Sequence, residues 1–126
     1  MVNMKEKVYQ ALCTAFDEDM VSDSWPQSVE QIPCIVYTEE ENKSYERTGS
    51  RTTKSYCRFR IDIFNTGSTS EDAAMADGAL AWNEEGTGLG MTRTGCNDDN
   101  SADYRHKIMR YECIVGERDG KIYGIN

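Results

Sequence analysis

The sequence predicts an α+β domain: a mainly antiparallel sheet of about four strands, two helices packed on one face, and a projecting polar arm. Three observations lead there. Residues 56–64 alternate, with Cys57, Phe59, Ile61 and Ile63 on one face and Arg58, Arg60 and Asp62 on the other. That period of two marks a strand with one wet face. Two further segments carry apolar residues at helical rather than strand spacing. Between the first two strands lies a polar stretch, residues 39–55, too long for an idle connection in a compact domain.

The elements follow in order. Residues 4–16 place Val8, Leu12, Ala15 and Phe16 at helical spacing, with Lys5, Glu6 and Lys7 outside; Asp17-Glu18-Asp19 ends the pattern. Trp25-Pro26 belongs to a loop, and Pro33 opens a strand at Cys34-Ile35-Val36-Tyr37-Thr38. Residues 39–55 are compatible with a flexible loop or with a two-stranded arm turning near Gly49. After the strand at 56–64, Asn65-Thr66-Gly67 turns the chain into an alanine-rich helix over 68–83, with Ser68 and Glu71 at capping-box spacing. Gly78 inside this helix carries the usual glycine cost, which close packing on the sheet would offset. The run Gly86-Thr87-Gly88-Leu89-Gly90 stops the helix. A short strand follows at 91–96, then the polar turn Asn97-Asp98-Asp99-Asn100-Ser101. A second long strand covers 104–115, with Met109, Tyr111, Cys113 and Val115 on one face. Asp119-Gly120 is a tight-turn signal that folds 121–125 back as a short final strand or tail. The predicted core is Val8, Leu12, Phe16, Ile35, Tyr37, Phe59, Ile61, Ile63, Ala76, Leu80, Met109, Tyr111, Cys113 and Val115.

At 126 residues the chain has the length of a single domain, residues 1–126. No apolar run approaches a membrane span, and Met1 leads into a helical pattern without a signal-peptide core, which predicts a chain made and used inside a cell. The net charge of −8 disfavours nucleic-acid binding by the chain as a whole. The distribution is more informative than the total. Residues 1–42 carry two basic and nine acidic side chains, residues 43–60 six basic and one acidic, and residues 61–126 six basic and twelve acidic. A basic segment (Lys43, Arg47, Arg51, Lys54, Arg58, Arg60) therefore sits in an acidic protein. Such a run reads either as a solvated surface or as electrostatic complementarity between copies of the same chain.

No residue pattern points to catalysis, a metal or a cofactor. The five cysteines include no C-x-x-C pair, and Cys34, Cys57 and Cys113 lie in apolar or strand-like stretches, where a free thiol behaves as a small hydrophobe. The glycine-rich run follows a helix and precedes a strand, the reverse of a phosphate loop, and Glu84 and Glu85 repel anions. Asp98, Asp99, Asn100 and Asp103 lack the glycine and glutamate of a calcium loop. His106, the only histidine, can be set beside Asp103, Asp98 or a serine on paper, but no nucleophile motif accompanies it. Trp25 and Trp82 read as core or subunit-contact residues.

Taken together, the layout resembles the tail terminator, or tail-completion (minor tail), proteins of long-tailed bacteriophages and prophages. The residues that carry the resemblance are the helix at 4–16, Ile32-Pro33-Cys34-Ile35-Val36-Tyr37, the polar arm, Phe59-Arg60-Ile61-Asp62-Ile63-Phe64, the Ser/Glu/Ala helix start at 68–76 and the late strand at 110–115. The resemblance covers most of the chain except the glycine-rich stop and residues 120–126. It implies a non-enzymatic virion protein of the tail and neck, made in the bacterial host cytoplasm, that caps the tail tube as a homo-oligomeric, typically hexameric ring and contributes to head–tail joining. Implied partners are further copies of itself, the tail-tube protein and the head–tail connector protein, with passing DNA as a non-specific contact; no cofactor is implied. Other head–tail connector or neck proteins share this outline. The alternatives of a different class are a monomeric protein-binding adaptor and an enzyme. Within the ring reading, Lys43, Arg47, Arg51 and Lys54 face acidic groups of the adjacent subunit, and Arg58 and Arg60 extend the same stripe.

Overall fold

The computed structural model describes residues 2–125. Two helices and six strands follow one another as α1 (Met4–Ala15), β1 (Val21–Ser22), β2 (Cys34–Thr48), β3 (Arg51–Asn65), α2 (Ser70–Leu80), β4 (Thr92–Asp98), β5 (Arg105–Gly116) and β6 (Ile122–Tyr123). The strands form one curled, half-barrel sheet in the order β1-β2-β3-β5-β4, with β6 paired to β5. Strand accounts for 44% of the chain and helix for 23%, so the protein is mostly β.

This corrects the predicted sheet of about four strands. The sheet is also mixed, because β1 runs parallel to β2 through Val21↔Ile35 and Ser22↔Val36. A two-residue strand carries no periodicity of its own, and tertiary pairing alone creates β1; β6 is the short final strand that the Asp119-Gly120 turn was expected to fold back, here antiparallel to β5. Of the two alternatives open at residues 39–55, the chain takes the paired one, so that β2 and β3 each run fifteen residues.

Local chemistry sets the helix ends. The Asn3 side chain accepts the Glu6 backbone N–H at 3.1 Å and caps α1, leaving Met4, Val8 and Leu12 on the buried stripe. For α2 the predicted capping box of Ser68 and Glu71 does not form. The cap position is Thr69, without a side-chain bond, and the Ser68 hydroxyl instead accepts the Ser70 N–H at 3.2 Å. The helix is shorter than predicted at both ends, since Asn83 and the glycine-rich run turn back against its last turn.

Both helices pack on the inner face of the sheet. Every residue predicted for the core is buried there, joined by Met4, Val21, Cys57 and Met91. The Tyr111 hydroxyl donates to the Asp77 carboxylate at 2.8 Å and ties α2 to β5; burial pushes that phenol far above its ordinary range. The opposite face was predicted to be wet, and at one end it is not. Cys34, Val36 and Phe64 form a second small core with Ile32 and Tyr104, beneath the segment that connects β1 to β2.

No close packing offsets the glycine cost at Gly78: a Cβ built on it meets nothing within 4 Å. Its helical backbone therefore gains nothing from the missing side chain. Gly78→Ala should stabilise the protein by up to about 1 kcal/mol, read as a higher midpoint in chemical denaturation with an unchanged slope.

Candidate functional site: the hairpin arm and the outer sheet face

The arm is built by direct strand pairing. Its register runs from Glu41↔Arg58 and Asn42↔Cys57 through Ser44↔Ser55 to Thr48↔Arg51, closed by Gly49 and Ser50. Gly49 has φ +65, the left-handed backbone that favours glycine at a two-residue hairpin turn. Three register irregularities in β2, between Glu39 and Arg47, add twist along the arm. Strand β5 accompanies β3 only as far as Gly116↔Lys54. Beyond that point the arm is a two-stranded ribbon, and Tyr45 on it is 63% exposed.

The six basic residues of the segment do not form one free stripe. Lys43 pairs with Glu41 at 3.2 Å and Lys54 with Glu46 at 3.6 Å. Arg58 reaches Glu40 and Glu41, both at 3.3 Å, while Arg110 from β5 takes the other side of Glu40 at 3.2 Å. Arg60 turns inward to Asp62. Only Arg47 and Arg51, at the tip, have no carboxylate within ion-pair distance among the described residues; Arg47 donates instead to the Ser44 hydroxyl at 3.1 Å. The charge excess seen in the sequence is thus mostly neutralised locally: Lys54 and Arg58 meet acids across the strand pair on β2, while Lys43 and Arg60 meet Glu41 and Asp62 two residues away on their own strands.

On its inner face the arm floors a groove of about 640 Å³, continuous with the side of the sheet that the helices cover elsewhere. Asn42, Ser44, Thr53, Ser55, Arg51 and Arg118 are among the residues that line it. Glu117 also borders it, its carboxylate accepting the Ser55 hydroxyl and the Val2 backbone N–H. The Ser55 bond holds that carboxyl below its ordinary value of 4.5. On the outer face the Tyr56 hydroxyl donates to Glu112. Burial first, and then this carboxylate, push the phenol up to about 12, while Glu112 is lowered in turn.

The outer face holds a buried polar cluster that sequence reasoning did not assemble. Asp62 is completely buried and accepts two bonds from Arg60, Nε to Oδ1 and Nη2 to Oδ2, each 2.9 Å. His106 Nε2 lies 2.7 Å from Asp62 Oδ2. The imidazole stacks on Phe64 with centroids 4.2 Å apart. Trp25 stands edge-on to it at 5.5 Å and receives the Arg60 guanidinium over its ring at 5.6 Å. The partner of His106 is therefore Asp62, not Asp103, Asp98 or a serine, as paper constructions had it. Trp25 is a lid on this cluster, 51% exposed, rather than a core residue. The arrangement is a closed knot in which a carboxylate, a guanidinium and an imidazole satisfy one another, pinning the 22–33 segment to the sheet. One signal pointed to it: Cys34-Ile35-Val36-Tyr37 is continuous rather than alternating, the mark of a strand buried on both faces.

Among the described residues, no group of three or more His, Cys, Asp and Glu side chains is placed to hold a metal ion, and no helix is long and apolar enough to cross a membrane. No protein-family model matches the chain, and no curated protein sequence is significantly similar to it.

Removing Asp62 would leave the buried His106 and Arg60 without their acceptor. Asp62→Ala should destabilise the fold by about 3 kcal/mol, measured by urea denaturation, far more than a typical surface aspartate substitution.

Proposed function

We propose that this chain is a structural virion protein resembling a tail terminator. Copies of it close into a ring on the tail tube of a long-tailed phage and contribute to head–tail joining. The observation that carries the reading is the arm: a two-stranded ribbon extending past the sheet, with Arg47 and Arg51 unmatched at its tip among the described residues. A protein of this size gains nothing for its own core from such an extension, whereas a neighbouring copy supplies a surface for it. Rings require heterologous contacts, in which one patch meets a different patch on the next subunit. A cationic tip on a chain of net charge −8 meets that requirement.

The electrostatic part of the contact narrows to the tip. Lys43, Lys54, Arg58 and Arg60 already have partners in their own chain and serve to stiffen the arm and its root. Arg47 and Arg51 remain to face carboxylates of the adjacent subunit. Two free cations per arm also favour a protein contact over tracking of DNA phosphates, which draws on larger positive surfaces. The tail-tube and head–tail connector proteins are the further partners of this reading.

Reversal of both tip charges, Arg47→Glu with Arg51→Glu, should weaken assembly about tenfold or more while leaving the thermal midpoint within about 2 °C of wild type. Native mass spectrometry and light scattering across protein concentrations check this. A wild-type chain that stays monomeric at every concentration contradicts the ring and moves the arm to the role of an adaptor for a different protein.

A further inference from the structure

The glycine-rich run after α2 is more than a helix stop. Residues 82–90 fold into a clamped loop. The Asn83 side chain accepts from the backbone N–H and hydroxyl of Thr87, at 3.0 and 3.2 Å, and donates to Gly78 O at 3.3 Å. Leu89 N–H bonds Ala79 O and Trp82 N–H bonds Met91 O, at 3.1 and 3.0 Å. Gly88 passes so close to the helix end that a Cβ on it would lie 1.9 Å from Ala81 O. This rigid frame holds Trp82 outward at 69% exposure, followed by Glu84 and Glu85, both exposed. Neither glutamate has a cation within ion-pair distance among the described residues. An exposed tryptophan on a preorganised loop, beside two unmatched carboxylates, has the composition of an interface anchor with a charged rim.

Its position relative to the arm identifies the surface it fits. The arm grows from β2 and β3, while the loop leads into β4 at the opposite lateral edge of the sheet. Both lie at the same level along the strands, since Thr92 is opposite Glu112, Glu112 opposite Arg58, and Arg58 opposite Glu41 at the root of the arm. Both also lie on the inner face, the loop as the continuation of α2 and the groove as the uncovered part of that face. Side-by-side copies would therefore bring the loop of one against the arm groove of the next.

We infer that residues 82–85 of one copy dock in the arm groove of a second copy. Trp82 lies over the aliphatic parts of Thr53 and its neighbours, and Glu84 and Glu85 pair with Arg51 and Arg118. The second copy is chosen by charge complementarity, two unmatched acids against two unmatched bases among the described residues. The inference rests on the ring reading above and names the surface that the arm meets.

The test uses two full-length variants. One carries Arg51→Glu and Arg118→Glu, the other Glu84→Arg and Glu85→Arg; each should keep the wild-type thermal midpoint. Alone, each variant should assemble about tenfold or more weakly than wild type, because its only available contacts are like-charged. Mixed in equal amounts, they should regain wild-type assembly in native mass spectrometry, with the two chains alternating, since every contact in such a ring is again complementary. Undiminished assembly of either variant alone, or failure of the mixture to recover, overturns the inference while the ring reading stands. A wild-type chain that never assembles overturns both.

Discussion

The length of the β2–β3 hairpin constrains everything else in this molecule. Two strands of fifteen residues extend roughly 50 Å at strand rise, whereas helices of twelve and eleven residues cover roughly 18 Å. Helix cover can therefore reach only part of the hairpin. At the covered end, Phe59, Ile61 and Ile63 meet Met4, Val8, Leu12, Ala76 and Leu80. At the other end no described helix covers the strands, which turn to threonine, serine, asparagine and charge. The arm is the remainder of a sheet that outgrows its helices.

The outer face answers the same constraint differently. A long sheet with one layer of helices leaves its other side to water, and here that side is filled in two ways. Toward the end of β3 the 22–33 segment closes over Phe64, and the Asp62–Arg60–His106 knot fixes it through Trp25. Toward the arm, Glu40 is shared between Arg58 and Arg110, which knits three strands together. Half-buried pairs of this kind, still reached by water, contribute modestly to stability one by one. Their larger effect is to keep like charges apart: Arg60 and Arg110 stand directly opposite across β3 and β5, and each is turned to its own carboxylate. The sheet can thus carry many charges without either face becoming a strongly cationic surface.

The legible parts of the fold were those governed by local periodicity. Alternation over 56–64 and 104–115, and helical spacing over 4–16, named residues such as Phe59, Tyr111 and Leu12 that are buried here. The illegible parts were those in which distant segments decide. Val21 and Ser22 are a strand only because Ile35 and Val36 lie beside them. Asp62 looked like a solvated position in an alternating strand, and only the arrival of His106 from β5 and Trp25 from the 22–33 segment makes it buried. Residues 39–55 left loop and hairpin open, because polar strands pair through their backbones and leave no apolar trace. For the candidate site, the excess of basic side chains over 43–60 was visible but the partners were not: Lys54 and Arg58 meet theirs through the β2–β3 register, and Lys43 and Arg60 through side chains two residues away on the same strand.

In the proposed ring the arm is dispensable for folding and necessary for self-association, since it contributes no residue beyond Ser55 and Asn42 toward the inner core. Replacing residues 45–54 with a two-residue Asn-Gly turn joins the strands where Ser44 and Ser55 already pair. Molar mass by light scattering, measured beside a thermal melt, then tests the claim directly. An arm that serves contact between copies gives a melt within a few degrees of wild type and loss of the assembled species. A trimmed chain that assembles like the wild type, or that no longer folds, would contradict it.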